Sequence, residues 1–316
     1  MAIIRPESMD FSRQRFSALI YGTPGIGKTT LALSAPSPVL IDFDDGVSRV
    51  KAAHRAPTIV CANYEEVLKD VESPEMKDFE TVIIDTGGSF VTYLKDWAFR
   101  TQGARTKDGK FNNMKGFGVV KTEFADFTDR LKKVLKKNVI YVFHSDEKAD
   151  KDGNPVQRLL CEGSVRNTVW NPCDFGGYLQ MLGNRRTLCF SPTQEYFAKG
   201  THGITGEIPV PALDANTPND FLTQLFERAR QNIIAENDAY APQKRQYEET
   251  MESVHAIVDG VTDAASANEA AKAIPGLPHA LTSKREAGAM LKAKTDKLGL
   301  KWSKEAGGYI PKDGGQ

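Results

Sequence analysis

Short apolar runs and longer amphipathic stretches alternate along the first two thirds of the chain. Residues 16–21, 38–43, 58–61, 81–85 and 139–143 are nearly continuous apolar runs, as expected of strands buried on both faces. Between them the spacing turns helical. Tyr64, Val67 and Leu68 follow Asn63, a good cap. Ser89 is expected to cap a helix to about Phe99, and a further helix is expected over 47–54. Phe124, Phe127, Leu131, Val134 and Leu135 form one apolar face, with Lys132, Lys133, Lys136 and Lys137 opposite. Residues 175–182 and 186–190 flank Gly183-Asn184, a hairpin signal, and 195–199 read as one more strand. From Pro209 the pattern predicts a helix over 219–237, a polar linker over 238–250, short helices over 251–258, 265–274 and 283–298, then a tail. Residues 100–121 and 147–172 carry no clear period and read as loops, the second long enough to suggest function.

Strand–helix alternation predicts an α/β fold with a mainly parallel central sheet flanked by helices, plus a small helical C-terminal region. The expected divisions are a lead-in over 1–15, a core over 16–208, a helix and linker over 209–250, and the C-terminal region over 251–316. Ligands of such sheets bind beyond the carboxyl ends of the strands. Four polar clusters fall at those ends: the loop after residue 21, Asp42 with Asp44 and Asp45, Asp85, and His144 with Ser145 and Asp146.

The first cluster carries the chemistry. Gly22-Thr23-Pro24-Gly25-Ile26-Gly27-Lys28-Thr29-Thr30 fits G-x-x-x-x-G-K-[ST], a phosphate-binding loop, between a predicted strand and a predicted helix. Glycines let backbone N–H groups curl round phosphates. Lys28 is expected at the β- and γ-phosphates and the Thr29 hydroxyl on Mg²⁺. Residues 81–85 form an apolar strand delivering Asp85 beside that loop, where a carboxylate holds the metal and its water shell. Convergence of four polar strand ends favours an ATP-hydrolysing enzyme over a passive binder.

Composition narrows the field. Lys+Arg and Asp+Glu are both 41, so a globally basic nucleic-acid binder is excluded, though a local basic patch is not. Residues 100–121 hold six basic residues against one acid, with Phe111 and Phe117 interleaved. Charge for phosphates and rings for bases suit single-stranded DNA, with Arg105, Lys107, Lys110 and Lys115 as the candidate contacts. Four cysteines lack metal or C-x-x-C spacing and read as reduced thiols. No membrane segment or signal peptide is expected, which points to a cytoplasmic setting.

The phosphate loop, the Ile41-Asp42-Phe43-Asp44 strand end, Asp85, the strand ending at His144 and the terminal hairpin together resemble the RecA family of P-loop NTPases over about residues 14–205. With Phe143-His144-Ser145 and Tyr196-Phe197-Ala198-Lys199-Gly200, the chain looks like phage-encoded, core-only RecA relatives of the single-strand annealing type. The resemblance implies ATP and Mg²⁺ as cofactors, with Asp44 in the place of the catalytic glutamate and Asp45 as competitor. His144 would sense the γ-phosphate, and residues 100–121 and 147–172 would face DNA. It also implies a homo-oligomer with nucleotide between subunits, Lys199 reaching the neighbour's γ-phosphate, annealing or single-strand-binding partner proteins, and the host cytoplasm. The implied function is an ATPase acting on single-stranded DNA in phage recombination or replication. The alternative is a P-loop switch or assembly protein with a protein partner and no DNA. A small-molecule kinase, lacking an arginine-bearing lid, ranks last.

Overall fold

The computed structural model describes residues 9–163, 165–214 and 216–312; the first eight residues of the expected lead-in lie outside them. The chain divides into two compact units, one spanning Asp10–Asn232 and the other running from Ile233 onward.

The first unit is built on the apolar runs. They become β1 (Ser17–Gly22), β2 (Pro38–Asp42), β3 (Thr58–Val60), β4 (Thr81–Asp85) and β5 (Asn138–Ala149). After the short β6 (Pro155–Leu159) come β7 (Phe175–Leu182), β8 (Arg185–Cys189) and β9 (Glu207–Pro209). The sheet order is β3-β2-β4-β5-β1-β7-β8-β9, parallel from β3 to β7 and antiparallel thereafter. β5 therefore lies between β1 and β4. Alternate residues such as Leu19, Tyr21, Ile41, Ile84 and Tyr141 join one core cluster with Phe90, Phe124 and Phe127. Their neighbours Ala18, Ile20, Leu40, Ile83 and Ile140 are buried on the opposite face. Burial on both faces is why these strands read as unbroken apolar runs.

Helices cover the sheet: α1 (Lys28–Ala32), α2 (Tyr64–Val71), α3 (Gly87–Thr101), α4 (Asn113–Asp129) and the one-turn α5 (Val165–Thr168). Asn63 caps α2 as expected, accepting from Glu66 N–H. At α3 the cap is Thr86, which accepts from the N–H of Ser89, so the sequence placed it three residues late. The helix expected over 47–54 is two separate 3-10 turns, Val47–Arg49 and Ala52–His54. Both expected loops are partly ordered. Residues 113–121 open α4, capped by Asn112, where three glycines within 103–116 had masked the helical period. Strand β5 runs five residues past His144 and pairs antiparallel with β6, with Val156 and Leu159 buried. Residues 195–199 form only isolated bridges, Tyr196 to Gln157 and Lys199 to Gly176.

The polar linker expected over 238–250 is helical. A single helix, α6 (Phe221–Asp259), runs through it with Pro242 inside. The stretch is polar but rich in helix formers, and Lys244 stands 3.9 Å from Glu248 one turn on. The second unit adds α7 (Ala264–Ala273), α8 (Ser283–Lys297) and a hairpin, β10 (Leu300–Ser303) with β11 (Gly308–Pro311), in place of the expected tail. Val254, Val258, Ala270, Ala287, Leu291 and Leu300 share its core.

Phe90 is fully buried and packs against the rings of Phe43, Tyr64, Phe124 and Phe127. Phe90→Ala is expected to destabilise the chain by about 3–5 kcal/mol, measured by chemical denaturation.

Candidate functional site

At the end of β1 the chain turns sharply into the glycine loop. A Cβ at Gly22 would stand 2.4 Å from the Leu179 carbonyl oxygen, so only glycine fits there. Gly25 and Gly27 take left-handed angles, φ +78° and +96°, which curl the loop back to the start of α1. Lys28 opens that helix and is buried. Its Nζ donates to the Thr23 carbonyl at 2.8 Å and lies 3.2 Å from His144 Nδ1. Thr29 Oγ1 donates to Asp85 Oδ2 at 2.6 Å. Register explains the meeting: Gly22 pairs with His144, Asp85 with Val142, and Asp42 with Asp85, so all four strand ends share one edge.

Burial sets the electrostatics. It pushes the Lys28 ammonium down to about 8, partly opposed by Asp85. It pushes Asp85 up to about 6, against the Thr29 hydrogen bond, while Asp44 and Asp42 raise it further and Lys28 lowers it. His144 is held below its ordinary value by burial and then by the Lys28 and Arg49 charges. Both Lys28 and Asp85 are thus strained toward neutrality, a state that an anionic ligand and a divalent cation would relieve.

The three aspartates after β2 separate by role. Asp42 is buried and accepts from the N–H groups of Asp44, Gly46 and Val47 at 3.2, 2.9 and 2.8 Å, so it builds the turn. Asp44 accepts from Thr86 Oγ1 at 3.0 Å and lines the cavity over the glycine loop. Asp45 is exposed, at φ +51°, and does not line that cavity. The lining also includes Thr30, Arg49, Asp85, Thr86 and His144. Arg49 and Thr86 were missed by sequence reading. Thr86 directly follows Asp85, which was the available signal; Arg49 had none. Arg186 was missed as well. Its Nη1 lies 2.5 Å from where a Cβ of Gly27 would stand, so it roofs the loop from β8, with Nη2 donating to the Pro211 carbonyl at 3.2 Å. Thr29 and Asp85 offer a hydroxyl and a carboxylate side by side, a donor set suited to Mg²⁺ with the remaining positions taken by water and phosphate. Thr23, Pro24 and Ile26 complete the loop between these points.

Other expected residues lie elsewhere. Lys199 is not the exposed lysine the sequence suggested. It is half-buried and its Nζ donates to the Cys173 carbonyl, while its backbone pairs with Gly176. Cys173 precedes β7, beside the start of β1, so this ammonium serves the sheet edge remote from the glycine loop. Arg105, Lys107, Lys110 and Lys115 are exposed, but Arg105 stacks on Phe99 at 4.3 Å. Phe111 and Phe117 pack on each other at 5.7 Å under Lys95 and against Gly116 and Gly163, so neither ring is a free stacking platform. All four cysteines are buried free thiols. Among the described residues no helix is long and apolar enough to cross a membrane.

Asp42→Ala should remove three N–H partners from the turn that carries Asp44. A stability loss of about 1–3 kcal/mol is expected by thermal or chemical denaturation. Asp45→Gly, at an exposed position whose φ of +51° suits glycine, is expected to stay within about 0.5 kcal/mol of wild type.

Comparison with known proteins agrees with this geometry. An SPbeta prophage-derived uncharacterized protein, YorG, of Bacillus subtilis (strain 168), is 23% identical over 223 residues, covering 67% of each chain. Residues 14–202 match the model of the AAA domain, a span that holds the glycine loop, Asp44, Asp85 and His144. That span exceeds half of the 316 residues, and the chain belongs to the AAA domain family of P-loop nucleotide-binding proteins.

Proposed function

We propose that the chain is a Mg²⁺-dependent ATPase that acts on single-stranded DNA in phage recombination or replication, with a RecA-like working cycle. The observation that carries the DNA part is a chain of three cavities. The cavity over the glycine loop shares Asp44, Thr86 and His144 with a second, which in turn shares Leu159 and Arg166 with a third of about 510 Å³. The third is lined by Trp170 and Phe197, whose rings meet edge-on at 4.6 Å, with Arg158, Arg166, Asn167 and Asn171 around them. Rings for stacking, amides for base edges and guanidinium groups for phosphates are what an unpaired nucleotide requires. This pocket belongs to the 147–172 segment and its neighbours, and it replaces Phe111 and Phe117 as the stacking surface.

In the nucleotide cavity, Lys28 and the backbone of residues 22–30 would bind the phosphates of ATP. Thr29 and Asp85 would hold Mg²⁺, which when bound neutralises charge on the phosphate oxygens. Asp44, fixed by Thr86, would accept a proton from the attacking water. His144, between Lys28 and the second cavity, would report the γ-phosphate to the DNA pocket. Any assembly of subunits in this scheme proceeds without Lys199, whose ammonium is already committed.

Lys28→Ala should abolish ATP turnover and weaken nucleotide binding while leaving the fold intact. Asp85→Asn should keep nucleotide affinity and lose Mg²⁺-dependent turnover. Asp44→Asn should lower turnover by two orders of magnitude or more with Mg²⁺–nucleotide binding retained, a loss of about 10²–10⁴ being typical for a removed general base. Wild-type turnover in Lys28→Ala would defeat the ATPase reading.

The second measurement is the ATPase rate with and without single-stranded DNA at two salt concentrations. Stimulation that weakens steeply with salt is expected. Phe197→Ala and Arg158→Ala, both at exposed side chains, should each cut single-strand affinity about tenfold, within the ~1–3 kcal/mol of one stacked base, and leave basal turnover unchanged. An active ATPase indifferent to DNA would instead favour a nucleotide switch with a protein partner.

A further inference from the structure

The charge of the chain sums to zero, but its distribution does not. Over residues 283–304 basic residues outnumber acidic ones seven to two. Three of the seven, Lys284, Arg285 and Lys292, lie on one exposed side of α8, together with Asp296. Helical spacing puts Lys284, Gly288 and Lys292 in one row, with Arg285, Ala289 and Ala293 beside it, and all six are exposed. The opposite side, Ser283, Ala287, Leu291 and Thr295, is buried. Asp296, the one acid on the exposed side, accepts from Lys312 Nζ at 3.1 Å. The centre of the basic face is therefore small: a Cβ at Gly288 would meet nothing within 4 Å. Lys284 and Lys292 are eight residues apart, about 12 Å along the axis.

The hairpin continues this surface. It starts three residues after α8, through Gly299 at φ +67°, and is pinned by the Lys312 N–H to the Gly299 carbonyl at 2.7 Å. Leu300 anchors it in the core, while Lys301 and Lys304 are exposed and Trp302 keeps 53% of its surface. Trp302 rests edge-on against Tyr309 at 5.2 Å, so its ring is held in place while facing outward. Two helices, the second basic and small-faced, are thus followed by a basic hairpin.

We propose that this unit binds double-stranded DNA, with the exposed face of α8 in the major groove and the hairpin against the adjoining backbone. The lysines and Arg285 match the phosphate charge, and the small central residues let the helix backbone approach the base edges. A single strand fits α8 itself poorly, because the helix presents no ring on which bases stack, and the outward ring of Trp302 stands on the hairpin, beside the groove-facing side. The inference is independent of the ATPase and of the single-strand pocket in the other unit.

The test uses the full-length chain without nucleotide. A labelled ~20-base-pair duplex and the single strand of the same sequence are titrated by fluorescence anisotropy at several salt concentrations. Wild type should bind the duplex, and Lys284→Gln with Lys292→Gln should weaken it at least tenfold and lower the salt slope by about two, as expected for two lost phosphate contacts. Gly288→Glu, at an open helical position, should fold with undiminished thermal stability and lose duplex binding by a similar factor. Phe197→Ala should leave the duplex isotherm unchanged. Absence of duplex binding in wild type, or duplex affinity unaltered in folded Gly288→Glu and the double glutamine variant, overturns the proposal. Equal loss of single-strand and duplex binding in the glutamine variant also overturns it, since the face would then be a general polyanion surface.

Discussion

The site depends on one constraint: four parallel strands, buried on both faces, carry charged side chains only toward their carboxyl ends, the opposite ends holding the uncharged Ser17, Thr81 and Asn138. A strand covered by helices above and below has no room for charge along its length. Carboxylate, ammonium and imidazole are displaced to the carboxyl ends, where the loops begin. The register of β1, β5 and β4 then fixes which groups meet. Lys28 reaches His144 and Thr29 reaches Asp85 because the strands before them end level.

This edge is costly in isolation. A buried ammonium, a buried carboxylate and a depressed imidazole lie within a few bonds of one another, none fully solvated. The Thr29–Asp85 hydrogen bond satisfies one oxygen, and the Thr23 carbonyl one ammonium proton. His144 Nδ1 stands 3.2 Å from the same ammonium, and Lys28, Asp85 and His144 all line the cavity. Such a site is preorganised, since its groups already stand where charge must be held when a ligand arrives.

The core was legible because its signals are local. The glycine loop, the apolar strands and Asp85 each announce themselves within a few residues, and the strands form the expected mainly parallel sheet. What sequence missed is long-range or conformational. Arg49 and Arg186 reach the loop only because distant turns and β8 fold over it. Lys199 was expected to be exposed, and its half-burial follows from long-range contacts, the backbone bridge to Gly176 and the Cys173 carbonyl. The polar stretch around Pro242 looked like a linker because polarity and proline outweighed helix propensity in the reading, whereas in the chain a single helix runs through Pro242. Phe111 and Phe117 looked like stacking surfaces because exposure cannot be read from residue type.

Strand β5 has one further consequence. Its first half is a rung of the buried sheet and its second half is an arm of the β5–β6 hairpin, with His144 at the join. An extended backbone is close to its full length and resists stretching. A displacement of His144 away from Lys28 would therefore draw residues 145–149 with it. One continuous strand thus links the phosphate-loop edge to the hairpin arm with no turn between them.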